Sequence, residues 1–423
     1  MADTHTQPQA LAQINAFSPE VLADPYPYYA RLRAEAPVYR DPNTGLVYVS
    51  TYDRIIEVNS QPRLFSNKFG EQLRSGAAHQ IDPEELAIMK TGIQVVDTML
   101  TADPPEHTRY RKLAMKAFTM KRVDGMSDYI AKVCHELIDA FIDKGACEFK
   151  SSFAAHVPMI VIADALGVPR SDMDTFRTWS DAFIDQLGGV ASMERRRECA
   201  RLIVEFQRYF IDKIEEKRRN PTEDVISDLV HADLAEEGDT RKMEHAELLS
   251  ILQQLLVAGN ETTAHTITAG VMYLIANPAE MQQLKADPSL FPNLVEESLR
   301  MLSPTNNMWR VVKEDAEIGG VPVKKNDLVL LRYGSANRDA AKFADADAFK
   351  VARENAKEHL AFGAGIHHCI GAYLARKEMQ MAFPVILERL PNLRFARGAD
   401  SYRFAPNILM RGLQELHVAW DRP

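Results

Sequence analysis

The residues best suited to chemistry lie in one short stretch near the C-terminus, FGAGIHHCIG at positions 362–371. It combines an aromatic residue, three glycines, two histidines and a single cysteine, Cys369, and a helical pattern follows it. A cysteine at a bend that opens a helix lies where backbone N–H groups have no intrahelical partner, and their dipoles favour a thiolate over a thiol. The sequence therefore predicts a thiolate at Cys369.

This loop has several alternative roles. A dinucleotide-binding GxGxxG loop starting at Gly363 would need its third glycine at 368, where His368 stands. A zinc cluster has four candidate ligands, His359, His367, His368 and Cys369, but three of them are contiguous, and adjacent side chains rarely point at one metal. A buried structural cysteine stays open for the loop taken alone. A lone thiolate without a second cysteine at CxxC spacing also fits as the single axial ligand of a haem iron.

The order Phe362, Gly365, His367, Cys369 and Gly371 resembles the haem-binding loop of bacterial cytochromes P450. The resemblance implies that Cys369 ligates the iron of haem b and that the other four residues shape or line the cofactor site. It extends over roughly residues 16–421. It implies the cytochrome P450 fold, mainly α with small β sheets, as a single large domain around a buried haem.

A second motif, AGNETT, starts at Ala258 inside a long helical pattern predicted over residues 244–276. Gly259 admits a bulky group close to the backbone, and a Thr hydroxyl can bond to the carbonyl four residues earlier and bend the helix. We therefore expect an opened turn here. The motif resembles the family's oxygen-activation motif, which implies that Ala258 borders the haem, Thr262 steadies dioxygen and Glu261 feeds protons. Taken alone, the motif is better explained by a Thr bonded to its own helix and a Glu in a surface pair; the cysteine loop elsewhere in the chain favours the catalytic role. His265 is a core or surface histidine.

A third motif, DPPEHTRYR, begins at Asp103, and a helix is expected from about Glu106. His107 and Arg111 then lie at i, i+4 on one face, where two donors suit an anionic partner. The motif resembles the family's propionate-binding helix, and Arg310 and His367 match the same task by position. The alternative for each of these is an exposed surface cation.

Glu297 and Arg300 stand at i, i+3 ahead of Pro304. An exposed pair of this kind contributes only ~0.2–0.5 kcal/mol. In cytochromes P450 the pair is buried and shares a third arginine, which matches Arg353 here. The resemblance implies a structural role, in which the three charges fix the segment that presents the cysteine loop.

Two surfaces have expected partners. The first is a basic run made by Arg109, Arg111, Lys112, Lys116, Lys121 and Arg122. A solvated helix face is its default interpretation, but the resemblance implies docking of an acidic [2Fe–2S] ferredoxin, fed by its reductase, since no reductase domain is visible. The second is the expected substrate pocket, whose predicted lining is mostly apolar: Ile93, Val95, Val96, Met99, Leu100, Leu255, Ala258, Asn306, Asn307, Met308, Trp309, Ile408 and Leu409.

Composition limits the remaining classes of protein. The chain has 423 residues, 46% of them hydrophobic, and a formal net charge of −9, which argues against nucleic-acid binding. Four scattered cysteines indicate a reducing cytosol. The first residues carry no secretory signal, and no run reaches the ~18 apolar residues of a membrane span. We expect a soluble cytoplasmic protein with a disordered polar segment at 1–15 and one domain at 16–423.

Local patterns predict a few further elements. A short helix at residues 28–33, a hairpin at 38–50 and a second β patch at 316–333 lie outside the helical region of residues 108–277. A long charged helix is expected at residues 194–219. Another helix follows Cys369 and ends near Leu390.

The resemblance thus implies a haem-thiolate monooxygenase. It would insert one oxygen atom of O₂ into a C–H bond of a hydrophobic small molecule, such as a terpenoid, steroid, fatty or aromatic compound. An enzyme of the same fold that uses peroxide, or that isomerises or dehydrates its substrate, is one alternative. A non-catalytic haem- or lipid-binding module is another.

Overall fold

The computed structural model describes residues 10–70, 82–94, 96–188, 191–232, 242–399 and 401–422. Helices dominate these ranges. The α-helices are α1 Pro19–Ala23, α2 Tyr26–Glu35, α3 Tyr52–Asn59, α4 Pro83–Met89, α5 Glu106–Ala117, α6 Met120–Asp124, α7 Ser127–Asp139, α8 His156–Ala165, α9 Met173–Gly188, α10 Met193–Arg219, α11 Val225–His231, α12 His245–Ala276, α13 Pro278–Ala286, α14 Phe291–Leu302, α15 Tyr333–Ala336 and α16 Ala372–Arg389. Short 3₁₀ turns and one π-helical turn, Lys150–Ala154, connect them.

Ten short strands form three small sheets. The strands are β1 Val38–Arg40, β2 Val47–Val49, β3 Phe65–Ser66, β4 Ala146–Glu148, β5 Met308–Val312, β6 Ala316–Ile318, β7 Val321–Val323, β8 Leu328–Leu331, β9 Arg394–Phe395 and β10 His417–Ala419. The largest sheet has the order β1-β2-β8-β5-β3, the second β4-β10-β9, and β6 pairs with β7. Only the β2–β8 pair is parallel among the described strands. The mainly helical fold with small sheets, in one domain, agrees with the sequence-based expectation.

The central element is α12, which runs for 32 residues through the interior. Its side chains are apolar on nearly every face, and such a helix is stable only when it is buried. Its N-terminal half packs in one hydrophobic cluster with α8, α9 and α10, and its C-terminal half packs in another with α7, α14 and α16. The helix therefore connects the two halves of the core.

The local predictions agree closely with the observed elements. The 244–276 helix begins one residue later than predicted, at His245, and the 194–219 helix begins one residue earlier, at Met193. The hairpin at 38–50 forms with Val38 opposite Val49, and the β patch contains the β6–β7 hairpin and β8. The helix after Cys369 spans Ala372–Arg389.

Two expectations about the chain termini and the membrane can be compared with the structure. Residues Leu11–Gln13 form a 3₁₀ turn and Leu11 is buried, so the expectation of disorder up to residue 15 does not hold for residues 10–15. Residues 1–9 lie outside the described ranges. Within the described ranges, no helix has the length and apolar character needed to cross a bilayer.

Candidate functional site

The cysteine loop has a tightly constrained backbone. Its 3₁₀ turn Gly365–His367 precedes Cys369, whose N–H donates to the carbonyl of Phe362 at 2.8 Å. Gly363 and Gly365 have positive φ angles of 69° and 71°. A Cβ on Gly365 would lie 2.5 Å from the carbonyl oxygen of Asn59, a backbone atom of α3. Only glycine fits at position 365, so α3 and the loop are packed backbone to backbone.

Opposing influences act on the thiol of Cys369. Burial raises its pKa, whereas the N–H groups of Gly371 and Ala372 and the cations Arg111 and Arg376 favour the thiolate. The helix-opening N–H groups act in the direction that the sequence predicted, but burial outweighs them. A coordinated metal ion removes the proton of such a thiol outright. The sulfur therefore lies in an environment that suits a metal ligand better than a free nucleophile.

His107 provides the clearest sign that an additional group binds here. It is 2% exposed, and neither of its ring nitrogens has a partner among the described residues. Its ring lies 4.2 Å from that of His367, centroid to centroid. Burial lowers the pKa of both imidazoles, for His367 to about 3. Buried nitrogens rarely stay unpaired in folded proteins, and an anionic oxygen of a cofactor would satisfy them.

The two arginines expected near His107 lie at the same place. Arg111 donates from Nη2 to the carbonyl of His368 at 2.6 Å. Arg310, on β5, is buried and donates to the carbonyl of Trp309 and to Oδ1 of Asn59, each at 2.7 Å. The Cys369 sulfur, the imidazoles of His107 and His367 and the guanidinium groups of Arg111 and Arg310 thus lie in or beside one loop. This donor set fits an iron porphyrin with carboxylate side chains.

The acid and alcohol of the second motif lie on α12. Thr262 Oγ1 donates to the carbonyl of Ala258 at 2.9 Å. The helix is nevertheless continuous from His245 to Ala276, so the opened turn expected at this motif is not present. The hydroxyl bond alone does not interrupt the backbone ladder. Glu261 Oε2 lies 3.2 Å from His265 Nε2 and 3.8 Å from Lys150 Nζ.

Glu261 also borders a polar cavity of about 200 Å³ between α8, α9, α12 and the π-helical turn. The cavity is lined by Glu148, Lys150, Ser151, Ala155, His156, Met159, Arg177, Asp181, Asn260, Glu261, Ala264 and Gln414. Asn260 Oδ1 is buried and has no partner among the described residues. The acid therefore faces a space that suits ordered water. The sequence did not reveal this cavity, because its lining comes from four separate parts of the chain.

Glu297, Arg300 and Arg353 form the buried charge triad that the resemblance implied. Glu297 and Arg300 are both 0% exposed and are joined by two hydrogen bonds of 2.7 and 2.8 Å. Arg353 Nε lies 3.1 Å from both carboxylate oxygens. The two guanidinium groups also donate to backbone carbonyls of residues 337–348. The triad thereby fixes the segment that leads into the cysteine loop.

The basic run is only partly available to a partner. Arg111 is engaged with the cysteine loop, and Arg122 is ion-paired with Asp228. Lys116 and Lys121 are exposed. Each of these lysines directly follows an exposed methionine, Met115 at 51% and Met120 at 66% exposed. The surface on α5 and α6 therefore combines cations with exposed apolar side chains.

The residues expected to line the substrate pocket are divided among three hydrophobic clusters, since Met308 packs against the cluster around the largest sheet. Met99, Leu255 and Ile93 pack with α8, α9 and α10, whereas Trp309, Ile408 and Leu409 pack beside α2. Val96 and Leu100 are exposed. Asn306 and Asn307 accept from the hydroxyl of Tyr29. Val95 lies outside the described residues.

One buried acid was missed by the sequence reasoning. Glu378, on α16, is buried, and burial raises the pKa of its carboxyl to about 8. A hydrogen bond from Thr263 favours the ionised form, but its effect is smaller than that of burial. A glutamate inside an otherwise ordinary helical pattern carries no signal that separates it from a surface residue.

A cysteine in a glycine-rich loop, a cluster of donors beside it and a long central helix are the features expected of a haem-thiolate protein. A family model for cytochrome P450 matches residues 87–393, and the chain belongs to that family. Cytochrome P450 107B1 of Saccharopolyspora erythraea is 35% identical over 407 residues, covering 95% of this chain and 96% of that protein. The steroid C26-monooxygenase of Mycobacterium tuberculosis strain H37Rv is 35% identical over 392 residues, covering 93% and 92%.

Solved structures agree with this assignment. CYP109Q5 from Chondromyces apiculatus superposes with a TM-score of 0.85 at 33% identity, covering 98% of this chain and all of that one. The cytochrome P450 CREJ, in complex with (4-ethylphenyl) dihydrogen phosphate, gives a TM-score of 0.88 at 30% identity, covering 97% and 100%. The protein is a monooxygenase-type oxidoreductase whose family implies a haem-iron cofactor.

Proposed function

We propose that this enzyme hydroxylates a hydrophobic small molecule with O₂, using two electrons from a separate [2Fe–2S] ferredoxin and its reductase. The observation that carries the proposal is the loop of Cys369, flanked by His107, whose ring nitrogens have no partner among the described residues. We assign residues 16–423 to the catalytic domain and place the enzyme in the cytoplasm, which the four unpaired cysteines support.

Haem b bound through Cys369 would supply the oxidising chemistry for the C–H bond. The chain's own residues would hold it in place. His107, Arg111, Arg310 and His367 would bind its carboxylates, and Phe362, Gly365, Gly371 and Ala258 would shape its surroundings. Because four donors share the two carboxylates, the loss of any one of them should weaken cofactor binding without abolishing it.

Glu261 and Thr262 would supply and position the protons that the reaction consumes. Glu261 can exchange protons with water in the polar cavity through its carboxylate. Thr262 can release its bond to the carbonyl of Ala258 and use its hydroxyl to hold dioxygen or a water molecule. Transfer by a positioned acid typically contributes ~10²–10⁴-fold to a rate.

A hydrophobic substrate is supported by several relatives. One is named a steroid C26-monooxygenase, and CYP109E1 of Bacillus megaterium has been solved with corticosterone and with testosterone. P450BioI has been solved with an acyl carrier protein bearing hexadec-9Z-enoic acid. Testosterone and hexadec-9-enoic acid are therefore suitable probes, and a shift of the haem spin state on their addition would identify the substrate class.

The first test is the absorption spectrum of the dithionite-reduced, CO-bound protein. A red-shifted Soret band, characteristic of thiolate ligation, is expected. A band at the histidine-ligated position, or failure to bind haem, would overturn the proposal. Turnover that needs O₂ and reductant separates the proposal from the peroxide-using, isomerase and dehydratase alternatives.

Thr262→Ala tests the proton role. We expect product formation to fall while electron consumption continues, so that peroxide accumulates. Thr268→Ala is the matched control, because Thr268 Oγ1 makes the same bond, 2.7 Å to the carbonyl of Ala264, farther along α12. Unchanged product yield in Thr262→Ala would contradict the proton role of Thr262. Absence of product already in the wild type would favour the non-catalytic module.

The ferredoxin partner is supported by the exposed cations Lys116 and Lys121. Electron transfer should slow as ionic strength rises, because screening weakens the attraction between oppositely charged surfaces. Lys116→Gln should lower the rate, whereas Lys285→Gln, an exposed lysine on α13, should not. Electron transfer that is insensitive to salt would rule out this docking surface.

A further inference from the structure

His265 lies one helical turn after Glu261 and faces the same side of α12. Its Nε2 atom is 3.2 Å from Glu261 Oε2, shorter than the 3.8 Å from Lys150 Nζ to the same oxygen. Both of these contacts involve Oε2, and Oε1 accepts no hydrogen bond from the described residues. One carboxylate oxygen is thus restrained, while the other can exchange protons with water in the cavity.

Burial favours the neutral form of the His265 imidazole. The residue is 7% exposed, and burial, with the nearby charge of Lys150, lowers its pKa to about 3. A neutral imidazole carries one N–H, and the carboxylate oxygen beside Nε2 selects the tautomer with the proton on that atom. Nδ1 is buried and has no partner among the described residues.

The ring is also fixed sterically. A Cβ on Gly412 would lie 2.0 Å from Nδ1 and 2.1 Å from the neighbouring ring carbon. The backbone at Gly412 therefore closes the space behind His265, and the ring cannot rotate away from Glu261 without displacing that segment. A flexible lysine cannot provide the same restraint, because its ammonium group is a point charge on a four-carbon stem.

We propose that His265 is a positioning residue that donates a hydrogen bond from Nε2 to Glu261 and keeps that carboxylate at the wall of the polar cavity. The inference rests on the proposed proton role of Glu261. Without this bond the carboxylate would be free to turn toward Lys150. The other charged or titratable groups that face the cavity are Glu148, His156, Arg177 and Asp181.

Three substitutions distinguish loss of the His265–Glu261 hydrogen bond from loss of the folded structure. His265→Leu removes the donor, whereas His265→Gln keeps an N–H donor at the end of the side chain. Gly412→Ala leaves both partners intact but inserts a Cβ against the ring. His245→Leu is the control, because His245 Nε2 lies 2.9 Å from Glu215 at the other end of the same helix.

The first measurement is ¹⁵N NMR of histidine-labelled enzyme in its reduced, CO-bound, diamagnetic form. The signal that disappears in His265→Gln should report a neutral Nε2–H tautomer throughout pH 6–8, and it should shift in Gly412→Ala. An Nδ1–H tautomer, or protonation within this range, would overturn the proposal. This readout does not depend on turnover.

The second measurement is product formed per electron pair, with testosterone as probe and a surrogate ferredoxin and reductase. His265→Leu and Gly412→Ala should each lower this ratio about fivefold, the effect of losing a hydrogen bond worth ~1 kcal/mol. His265→Gln should recover most of it, and His245→Leu should match the wild type. The His265→Leu and Glu261→Gln effects should not add, because both act through one group.

The outcomes distinguish the inference from the proposed function. If Glu261→Gln lowers the ratio but His265→Leu and Gly412→Ala do not, the positioning role is wrong and the proton role of Glu261 stands. If Glu261→Gln itself leaves the ratio unchanged, the proton role fails. Full additivity of the two substitutions would also contradict the proposed linkage.

Discussion

Glu297 and Arg353 lie 56 positions apart in the sequence and meet in the interior, with Nε of the arginine 3.1 Å from both carboxylate oxygens. Arg300 occupies the other side of the same carboxylate. The carboxylate also accepts from the backbone N–H of Lys350 at 2.9 Å. A single buried acid therefore joins α14 to the segment before the cysteine loop.

Glu297→Ala should yield a protein that fails to incorporate haem. It leaves two arginines buried without their counter-charge, which typically costs ~3–5 kcal/mol. The measurement is the haem content of the purified protein. Glu216→Ala is the control, since it breaks only the exposed Lys213–Glu216 pair. Recovery of fully haem-loaded Glu297→Ala would contradict the structural role of the triad.

Gly365→Ala should prevent the cysteine loop from forming, whereas Gly363→Ala should be tolerated. Both glycines have positive φ angles, so each substitution costs ~1–2 kcal/mol in backbone strain. A Cβ at 365 would also meet the carbonyl oxygen of Asn59 at 2.5 Å, while the nearest atom to one at 363 is 3.7 Å away. The thiolate-ligated fraction in the CO-bound spectrum measures the difference. Equal fractions in the two variants would show that contact with α3 is unimportant.

Glu378→Gln should remove the loss of folding stability that ionisation of the buried Glu378 carboxyl causes as pH rises. The pKa of this buried carboxyl is about 8 in the folded protein, against an ordinary value of 4.5. The folded state therefore binds more protons between these values, so stability is greatest below pH 4.5 and declines as pH rises through 8. The decline is on the order of a few kcal/mol.

Urea midpoints at pH 6 and pH 9 measure this effect. The urea midpoint of Glu378→Gln relative to that of the wild type should be higher at pH 9 than at pH 6. Replacing Glu205, an exposed glutamate on α10, should leave the pH dependence unchanged. A parallel pH dependence in wild type and Glu378→Gln would show that the Glu378 carboxyl does not titrate as expected.

Asp82→Asn should weaken the attachment of α4 to α10. The acids Asp82 and Glu85 are the buried side chains at this helix, whereas Leu86 is 42% exposed. Asp82 is paired through both oxygens with Arg197 on α10, which holds the pKa of its carboxyl at about 2. An asparagine can still cap α4 but cannot form the ion pair.

Hydrogen exchange of the α4 amides measures this attachment. Exchange should be faster in Asp82→Asn, and added salt should speed it in the wild type because screening weakens ion pairs. Asp53→Asn, at an exposed site on α3, is the control. Exchange that is insensitive to both changes would indicate that α4 is held by other contacts.

The sequence by itself determined most of the helices and strands, and its cysteine loop indicated the family. The period of the apolar residues gave α12 and α10 to within one residue at their N-termini, because a helix's pattern depends only on its neighbours along the chain. Cys369, Glu297 and Thr262 could be singled out because the motifs around them resemble those of the family.

Tertiary structure alone decided which distant groups meet. Three features join parts of the chain that are far apart in sequence: the ring contact of His107 with His367, the backbone of Asn59 against Gly365 and the cavity at Glu261. Burial also acted against one local expectation, because it raised the pKa of Cys369 despite the helix-opening N–H groups. It lowered the pKa of His265, whose surroundings the sequence left open. Desolvation depends on what packs around a group, and local sequence does not encode that packing.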